Sequence, residues 1–587
     1  MQELFHSFDF CVVGGGLAGL CAAVAAARQG IRTALVQDRP VLGGNASSEI
    51  RMWICGAGGG NLRETGLVEE LCLENNYRNP GSNFSIWDSV LYQLALEEKN
   101  LTVFMNCSVN TAEMAGTRIA SVKGWQGTTE TWHTIKASVF ADCSGDSILA
   151  PLSGADFRIG REAAAEFGES LAQAEADRKT MGMSCLIQAR ETDSPKPFIA
   201  PRWAKKITSD DQLAQRGHGF TGLSNFWWLE LGGDDDSIHD TEKLRDELVA
   251  LAFGVWDHIK NHGDHGANNW ELEWVGFLPG KRESRRYLGD HLLCEKDILS
   301  GGEFTDVVAY GGWPIDDHHP GGFYYSGPPN RNISVPGPYG IPYRSLYSRN
   351  IENLLFAGRN ISATHIGISS TRVMATCSIM GQAVGIAAAL AVRNGCTARG
   401  VYQQHIHELQ QLLLSEDCYL PGIKRKIPRL SAEAVLRCST GDPEPLRNGI
   451  DRPTGEKDHS WSAPAGCWIE YDFGSKRTVG SARIVFDSDL NRKGQGACSY
   501  HWEKNILSNF PLHQPPRRPP ATLVRSFRLE ARQADGSWQE FYREENNYQR
   551  LVRLDFTLET DAVRLIPEST WGAERCKLFA FELGENG

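Results

Sequence analysis

Three glycines near the N-terminus stand at a fixed spacing between two apolar runs. They are Gly14, Gly16 and Gly19 in "VVGGGLAGLCAA". In this pattern the first glycine permits a tight turn, the second lets the backbone approach a pyrophosphate, and the third allows a helix to lie close to a sheet. The spacing therefore indicates that the chain binds a dinucleotide. The alternative is an ordinary glycine-rich turn without a ligand.

The elements around these glycines predict a β-α-β unit. "DFCVV" precedes them as a β-prone run, an alanine-rich helix follows and ends at Gly30, and "RTALVQ" is a second strand. At the end of such a strand an acidic residue normally binds the adenosine ribose. Here Gln37 stands at that place and Asp38 follows it, which departs from the usual pattern.

Three further stretches point to one kind of cofactor. "GGNASSE" at 43–49 resembles the second glycine pair of FAD enzymes of the glutathione-reductase-like class, which NAD domains usually lack. The stretch at 139–169 begins "VFADCSGDS" and resembles the "A-T-G-D" strand end of that class, with Cys143 and Ser144 in place of Ala and Thr. The stretch at 350–390 resembles the second flavin motif, in which a long helix directs its N-terminus at the isoalloxazine. A helix N-terminus would stabilise negative charge on the reduced ring.

In this order the motifs resemble those of the large FAD-dependent oxidoreductase family related to fumarate reductase and the GidA-type flavoproteins. The resemblance is closer to a bacterial branch that carries "DRPVLGGN-SSE-R", "GKRESRR" and "GGWPIDDH", which stand here at 38–51, 280–286 and 311–318. It covers about residues 8–395. It implies an α/β fold: a Rossmann-like FAD-binding domain with an inserted α+β substrate domain, followed by a C-terminal all-β sandwich.

The resemblance also implies which residues bind the cofactor. We predict noncovalent FAD, because no His, Cys or Tyr stands where a covalent flavin link would be required. The implied cofactor-binding residues are Gly14, Gly16, Leu17, Ala18, Gly19, Gln37, Asp38, Arg39, Gly43, Gly44, Asn45, Ser47, Ser48, Val109, Gly145, Asp146, Gly358, Arg359, Arg372 and Val373.

Two histidines near these motifs are candidates for proton transfer. Hydride chemistry on a flavin needs a group that takes or gives the hydroxyl proton of the substrate. His365, in the loop before the flavin helix, is the first candidate, because an imidazole exchanges protons near neutral pH. The alternative is a histidine that only hydrogen-bonds loop backbone. His318, beside Asp316 and His319, is the second candidate.

Arginines supply the candidates for a cation near developing negative charge. Arg372 opens the flavin helix, where a cation opposes the helix dipole and therefore needs an anionic neighbour: the flavin, the substrate or a structural carboxylate. Arg51 either reaches the flavin edge or forms an ion pair with Glu49. Arg282 and Arg285 are substrate-side candidates through the family resemblance alone.

No metal site is predicted. The 15 cysteines contain no C-x-x-C pair and are expected to be reduced and mostly buried. His405 and His407 are two residues apart and would face different sides of a helix. The cluster of Asp316, His318 and His319 has no distant partner ligand in the sequence.

The length of 587 residues predicts several domains. From about residue 430 period-2 alternation replaces helical spacing, and "WIEYDFGSKRTVGSARIVFD" with "SFRLEARQADGSWQEF" resembles galactose-binding-like (discoidin-type) domains. Such domains often bind glycans and sometimes only brace a neighbour. We expect this region to fold alone and to direct the protein toward glycans. The predicted limits are 1–160 and 335–395 for the two parts of the FAD-binding domain, 161–334 for the substrate domain, 396–430 for a helical connector and 431–587 for the β-sandwich.

Composition excludes one class of partner and bears on location. Lys and Arg number 60 against 72 Asp and Glu, with no basic block, so no nucleic-acid partner is expected. The first strand begins within about ten residues and no secretory leader pattern precedes it, so we expect a cytoplasmic protein. The apolar stretch 373–392 is long enough to cross a membrane, but Gln382 and an Arg at either end favour a buried helix.

These features favour an FAD-dependent dehydrogenase or reductase that transfers a hydride between flavin N5 and a small polar, carbohydrate-like substrate. One alternative is a flavoprotein hydroxylase that uses free NAD(P)H and oxygen. Another is a glycan-binding flavoprotein without catalysis. The expected partners are a small-molecule or glycan substrate and an electron donor or acceptor that the sequence does not identify.

Overall fold

The computed structural model describes residues 1–219, 224–492 and 505–585, and the chain divides into two units that are each built from separate stretches. The first unit contains Met1–Gly58, Gly81–Leu409 and Gln495–Pro516, and the second contains Gly59–Pro80, Gln410–Gly494 and Arg517–Gly587. The limits predicted within the first unit, at residues 160 and 334, stay predictions.

A five-stranded parallel sheet lies at the centre of the first unit. Four of its strands are short, mostly apolar and fully buried, as expected for a sheet that is covered on both faces, whereas the edge strand Leu101–Phe104 is partly exposed. In spatial order they are Leu354–Phe356, Val139–Asp142, Phe10–Val13, Thr33–Val36 and Leu101–Phe104. The order places the glycine turn after Phe10–Val13 at the centre of the sheet.

Two helices pack closely in this unit, Leu17–Arg28 and Met374–Asn394. The contact requires glycine, because a Cβ on Gly381 would overlap the carbonyl of Ala18 and one on Gly385 would overlap that of Ala22. Met374–Asn394 is long and apolar enough to cross a membrane, yet 94% of its most apolar window is buried inside the protein. The helix is therefore part of the core of the first unit.

The other elements of the first unit surround this core. Gln2–Ser7, Thr131–Lys136, Arg118–Gln126 and Cys107–Ala115 form a second sheet. The further strands are Phe157–Arg158, Met183–Ser184, Ile187–Glu191, Glu230–Leu231, Trp270–Val275, Gly280–Lys281, Arg286–Tyr287, Val307–Gly311, Ile315–His318, Asn330–Ile333 and Tyr339–Pro342. The further helices are Phe84–Leu96, Leu149–Ser153, Ala164–Phe167, Thr241–Asn261, Glu295–Leu299, His365–Thr371 and Ala398–Ser415, the last of which continues into the second unit.

The second unit is built on antiparallel strands. Its two longest strands, Ile469–Phe486 and Leu551–Thr570, pair over most of their length, and further strands join them at opposite ends. These further strands are Val435–Cys438, Trp461–Pro464, Val524–Arg532, Trp538–Glu544 and Arg575–Gly584, and the helices of the unit are Leu67–Arg78 and Arg429–Glu433. The predicted fold classes, α/β followed by an all-β sandwich, are confirmed.

The core of the second unit includes residues from far outside the predicted sandwich. Leu73, in the helix Leu67–Arg78, packs with strand residues such as Tyr471 and Phe581. Trp461 is buried in the same core and cannot serve as an exposed sugar platform. A fragment of residues 431–587, which was predicted to fold alone, would therefore lack the helix that contributes Leu73 to this core. The stretch Gln495–Pro516, which was predicted to lie in the sandwich, belongs to the first unit.

Candidate active site

Glycine has a different structural role at each of the three positions of the first motif. Gly14 has a φ of +103°, and a Cβ there would lie 2.5 Å from the backbone of Cys143. A Cβ on Gly19 would overlap the carbonyl oxygen of Gly14. Gly16 has an ordinary extended backbone, with φ −62° and ψ 175°, and a Cβ there would meet only the Cα of Gly44, at 3.9 Å. The fold therefore requires glycine at positions 14 and 19, whereas at position 16 glycine leaves open space.

The second glycine pair joins this turn. Gly43 and Gly44 have φ values of +104° and +57°, and the Gly43 N–H donates to the Gly15 carbonyl over 2.8 Å. Among the residues that the structure describes, no side chain caps the N-terminus of Leu17–Arg28. Open space in front of an uncapped helix N-terminus fits the pyrophosphate of FAD.

Side chains around the second pair fix its loop. The Asn45 side chain donates to the Lys281 carbonyl at 3.1 Å, the Ser47 hydroxyl donates to the Gly44 carbonyl at 2.7 Å, and the Ser48 N–H donates to Asp88 Oδ1 at 3.0 Å. These three predicted cofactor residues therefore fix the loop that is bonded to the glycine turn, and the turn and the loop together are called the cradle. Their contacts within the chain involve the Asn45 and Ser47 side chains and the Ser48 backbone.

The predicted ribose-binding residues divide into two roles. Gln37 is 1% exposed, and its amide accepts from the Gly15 N–H at 2.7 Å and donates to the Val41 carbonyl at 3.0 Å. It thus holds the glycine turn with both ends of its side chain. The Asp38 side chain is 62% exposed at the strand end and remains the candidate for the ribose, while Arg39 pairs with Glu49 at 3.3 Å.

Two distant flavin motifs meet at Asp146. Its carboxylate accepts from Arg359 at 2.7 Å and from the Lys281 ammonium at 2.8 Å. Burial alone would raise the pKa of Asp146, but Arg359 and Lys281 reverse this and lower it to about 2. The buried Nε–H of Arg359 has no hydrogen-bond partner in the described part of the chain, which leaves a donor for a bound group. The sequence analysis did not single out Lys281.

The long helix begins after Val373, and no side chain in the described ranges caps it. Arg372, directly before it, donates to the Asp316 carbonyl at 2.9 Å and to the Asp316 carboxylate at 3.0 Å. Its Nε is buried and makes no hydrogen bond within the described residues. Gly145 and Gly358 have positive φ values, +78° and +121°, as the turns of the two flavin motifs require, and Val109 is buried. The chain thus offers a second helix N-terminus and a buried donor that fit FAD.

A first buried charge network contains His318. Its Nδ1 lies 2.6 Å from Glu230 Oε2 and its Nε2 lies 3.2 Å from Asp316 Oδ2. Glu230 also faces Arg282 at 3.4 Å, and Asp316 faces Arg372. Burial opposes ionisation of Asp316, but His318 and Arg372 hold its pKa well below the ordinary value. From Arg282 to Arg372, the carboxylates of Glu230 and Asp316 therefore alternate with the two arginines and the imidazole of His318.

A second buried network contains His365, at the start of the helix His365–Thr371. Its Nδ1 lies 2.8 Å from Glu283 Oε2 and its Nε2 lies 3.1 Å from Asp317 Oδ1. Burial alone would lower the pKa of His365, but Glu283 and Asp317 reverse this and raise it to about 9. His365 is therefore an imidazolium near neutral pH. Asp317 also pairs with Arg331 at 2.9 Å.

The strand Ile315–His318 separates the two networks. Successive side chains of a strand point to opposite faces, so Asp316 and His318 lie in the first network and Asp317 lies in the second. The sequence motif "IDDH" thus contributes to both. Glu230 and Glu283, which complete the networks, were not predicted, because they are far from the histidines in sequence.

Arg51 lies outside both networks. Its guanidinium lies between the rings of Phe84, at 4.3 Å, and Trp274, at 4.5 Å, and donates to the Gln188 side chain at 2.8 Å. Burial lowers the pKa of Arg51 to about 10. The alternative ion pair with Glu49 does not form, because Glu49 pairs with Arg39.

We expect the stability of the protein to depend on the charge of His365. Because its pKa is raised in the folded state, the stabilisation is fully present below the unfolded pKa of about 6.5 and is lost as the pH rises through about 9. Its size is about 3 kcal/mol. The midpoint temperature of thermal unfolding should therefore fall more steeply between pH 6.5 and pH 10 for the wild type than for His365→Gln. The exposed His239→Gln serves as the control, and equal slopes for His365→Gln and the wild type would contradict the expectation.

Comparisons with known proteins identify the family through one profile, and the solved structures that match are only distantly similar. A profile of the family described as FAD dependent oxidoreductase matches residues 9–413, and a comparison with curated proteins finds no match. A geranylgeranyl bacteriochlorophyll reductase-like structure from Thermoplasma acidophilum is 13% identical over 70% of this chain and 86% of its own, with a TM-score of 0.31. Mycobacterium smegmatis Sdh1 is 14% identical over 70% and 77%, with a TM-score of 0.28. The family 32 carbohydrate-binding module of Streptococcus pneumoniae EndoD is 13% identical over 27% and 99%, with a TM-score of 0.19.

The family profile covers most of the chain, including all the glycine turns and both helix N-termini described above. The closer relation to fumarate reductase and the GidA-type proteins stays a prediction. The chain belongs to the FAD-dependent oxidoreductase family, and its cofactor is FAD.

Proposed function

We propose that the protein transfers a hydride between flavin N5 and a small polar, carbohydrate-like substrate. FAD, when bound, supplies the hydride exchange. The observation that carries the proposal is the pair of buried histidine networks on either side of Ile315–His318, the first of which ends at Arg372 beside the N-terminus of the long helix. Oxidation of a hydroxyl-bearing carbon requires both a proton acceptor and stabilisation of charge, and these networks contain the groups for both.

The proposed proton carrier is His365. Its Nε2 faces Asp317 at 3.1 Å, and Asp317 is paired with the half-exposed Arg331. A proton held at Nε2 can therefore pass through the Asp317 carboxylate toward solvent. Arg372 and Arg282 are the proposed cations for an anionic or polar group of the substrate, because they stand at the two ends of the first network and the buried Arg372 Nε makes no hydrogen bond within the described residues.

A cavity beside the first network supports a hydroxylated substrate. Its volume is about 270 Å³. Its lining includes Leu231, which follows Glu230 in the chain, and Pro320 and Gly321, which follow His318 closely. The other side chains that line it combine acceptors with aromatic faces, which suit the hydroxyl groups and C–H faces of a sugar-like molecule. They are Asp234, Asp235, Glu247, Tyr324 and Tyr325, and the apolar Leu244 lies beside them.

Turnover with an artificial electron acceptor tests the proposal. The holoenzyme would be mixed with a redox dye and a panel of monosaccharides, sugar acids and polyols, with and without NAD(P)H. We expect at least one member of the panel to reduce the dye without NAD(P)H. Consumption of NAD(P)H and oxygen without dye reduction would favour a hydroxylase. A panel without any turnover would favour a binding protein.

We expect the flavin to be held without a covalent bond. The described contacts of the cradle come from backbone groups, amides and hydroxyls at the glycine turns, which bind through hydrogen bonds. Acid precipitation of the holoenzyme should therefore release all of the yellow colour into the supernatant. Colour that stays in the pellet would contradict this expectation.

For the second unit we propose a glycan-binding role. A polar cavity of about 360 Å³ in this unit supports it, and its lining includes Asp458, Asp487, Asp489, Asn491 and Lys577. Binding of neutral and amino-sugar oligosaccharides to the full chain, measured by calorimetry, tests the role. Lys577→Ala should weaken it, with the exposed Arg429→Ala as the control. Absence of binding to all of the oligosaccharides would leave the unit with a bracing role.

A further inference from the structure

Four side chains outside the flavin region converge on one point of the first unit. Asp210 opens a short 3-10 helix, Asp210–Leu213, and His218 follows it. His258 lies near the end of the helix Thr241–Asn261, and His265 lies in the turn after that helix. One oxygen or nitrogen from each residue lies within 4.8 Å of the corresponding atom of every other. No local motif joins these positions, so the sequence analysis did not find them.

The distances around Asp210 match those of a small coordination sphere. Asp210 Oδ1 lies 2.9 Å from His258 Nε2, 3.3 Å from His218 Nε2 and 3.7 Å from His265 Nε2. Ligands of a tetrahedral Zn²⁺ with bonds near 2.0–2.1 Å are separated by about 3.3 Å. The three distances from Asp210 Oδ1 thus lie within about 0.5 Å of this separation, and all four ligand atoms lie within 4.8 Å of one another.

The outer nitrogens of two histidines are already occupied. His258 Nδ1 lies 3.3 Å from the Ile207 carbonyl, and His218 Nδ1 lies 2.7 Å from the Arg216 carbonyl. A carbonyl only accepts, so each Nδ1 carries the hydrogen, and the Nε2 of each ring is left to face the cluster. Such a carbonyl contact is the usual outer partner of a metal-binding histidine.

The inner atoms lack enough donors. When both rings are neutral, their Nε2 lone pairs and the Asp210 carboxylate are all acceptors, so they repel each other unless a cation or protons lie between them. The Nε2 of His265 is buried, yet across the described ranges it makes no hydrogen bond. A bound cation would satisfy all four groups together.

We propose that Asp210, His218, His258 and His265 bind one divalent transition-metal ion, with Zn²⁺ as the ion that fits the ligands best. Three imidazole nitrogens and one carboxylate oxygen suit Zn²⁺. Ca²⁺ and Mg²⁺ require mostly oxygen ligands. Four protein ligands make a closed site of the structural type. The site does not depend on the proposed reaction of the flavin.

The ion would fasten a segment that supports the first histidine network. The ligand His218 lies two residues from Arg216, whose guanidinium donates to the carbonyls of Gly322, Tyr325 and Gly327 at 2.8–2.9 Å. These carbonyls belong to the stretch that follows His318. The metal therefore ties this stretch, through Arg216, to the helix Thr241–Asn261.

Metal analysis of the full-length holoenzyme tests the proposal. Protein without an affinity tag, dialysed without chelator, would be analysed for all transition metals and for FAD. We expect about one Zn²⁺ per chain, with nitrogen and oxygen neighbours at about 2.0 Å in X-ray absorption spectra. Zinc binding should weaken at least about 100-fold in Asp210→Ala and in His265→Ala, with FAD content unchanged.

The design of the variants separates loss of the site from loss of folding. The Asp210 side chain is 69% exposed, so its removal does not disturb a core. His239→Ala removes an exposed histidine outside the cluster and should retain the metal. Unchanged metal content in both ligand variants would place the ion elsewhere and overturn the proposal. Protein that contains no metal and takes up no Zn²⁺ in a competition with a chelating dye would also overturn it.

Discussion

The variant Gly16→Val should fold as the wild type does and bind FAD at least about 100-fold more weakly, which corresponds to about 2.7 kcal/mol. Valine tolerates the extended backbone of Gly16, and a Cβ there would meet no atom closer than 3.9 Å. The added methyl groups would instead occupy the space in front of the helix Leu17–Arg28, where the pyrophosphate binds.

Flavin content per chain, measured after denaturation, and thermal unfolding check this prediction. Gly337→Val is the matched control, because a Cβ on Gly337 would have no neighbour within 4 Å. Gly19→Val provides the contrast: its Cβ would overlap the Gly14 carbonyl, so this variant should lose folding as well as flavin. A Gly16→Val protein with full flavin content would show that the pyrophosphate does not approach this turn.

The second large effect is expected for His365→Gln. Reduction of the bound flavin by substrate should slow by about 10²-fold, the usual contribution of general acid–base catalysis, while flavin content stays normal because His365 lies outside the glycine turns. Because reduction of the flavin by substrate needs a proton acceptor, the wild-type rate should rise as the pH rises through about 9, where His365 loses its proton. The variant should lack this rise.

Parallel measurements on His318→Gln distinguish the two networks. If His365 carries the proton, His365→Gln removes the pH dependence and His318→Gln does not. If His365→Gln reduces its flavin at the wild-type rate while His318→Gln is slow, the proton carrier is His318. Rapid mixing under anaerobic conditions gives these rates directly.

The sequence was informative where a requirement is local. Gly14 is required by its positive φ and Gly19 by the nearby Gly14 carbonyl, so their spacing alone indicates the turn. The apolar run that became Met374–Asn394 likewise predicted a buried helix. Such features depend on neighbours along the chain and leave a pattern in it.

Features that depend on residues far away in the chain leave no local pattern in the sequence. Gln37 fits the ribose position by sequence, but only the fold brings its amide to the Gly15 N–H. His365 was identified, yet Glu283, which sets its charge, lies 82 residues away. The helix Leu67–Arg78 was not predicted, and no local pattern indicates that its Leu73 packs in the core of the second unit.

Anaerobic reduction of the wild-type flavin tests the central claim most directly. The holoenzyme would be mixed, without oxygen, with each compound of the polar panel and separately with NADH and NADPH, while the flavin absorbance is followed. We predict that a hydroxylated compound bleaches the flavin by itself and that NADH and NADPH do not. Bleaching by NADH or NADPH alone would contradict direct hydride transfer from such a substrate.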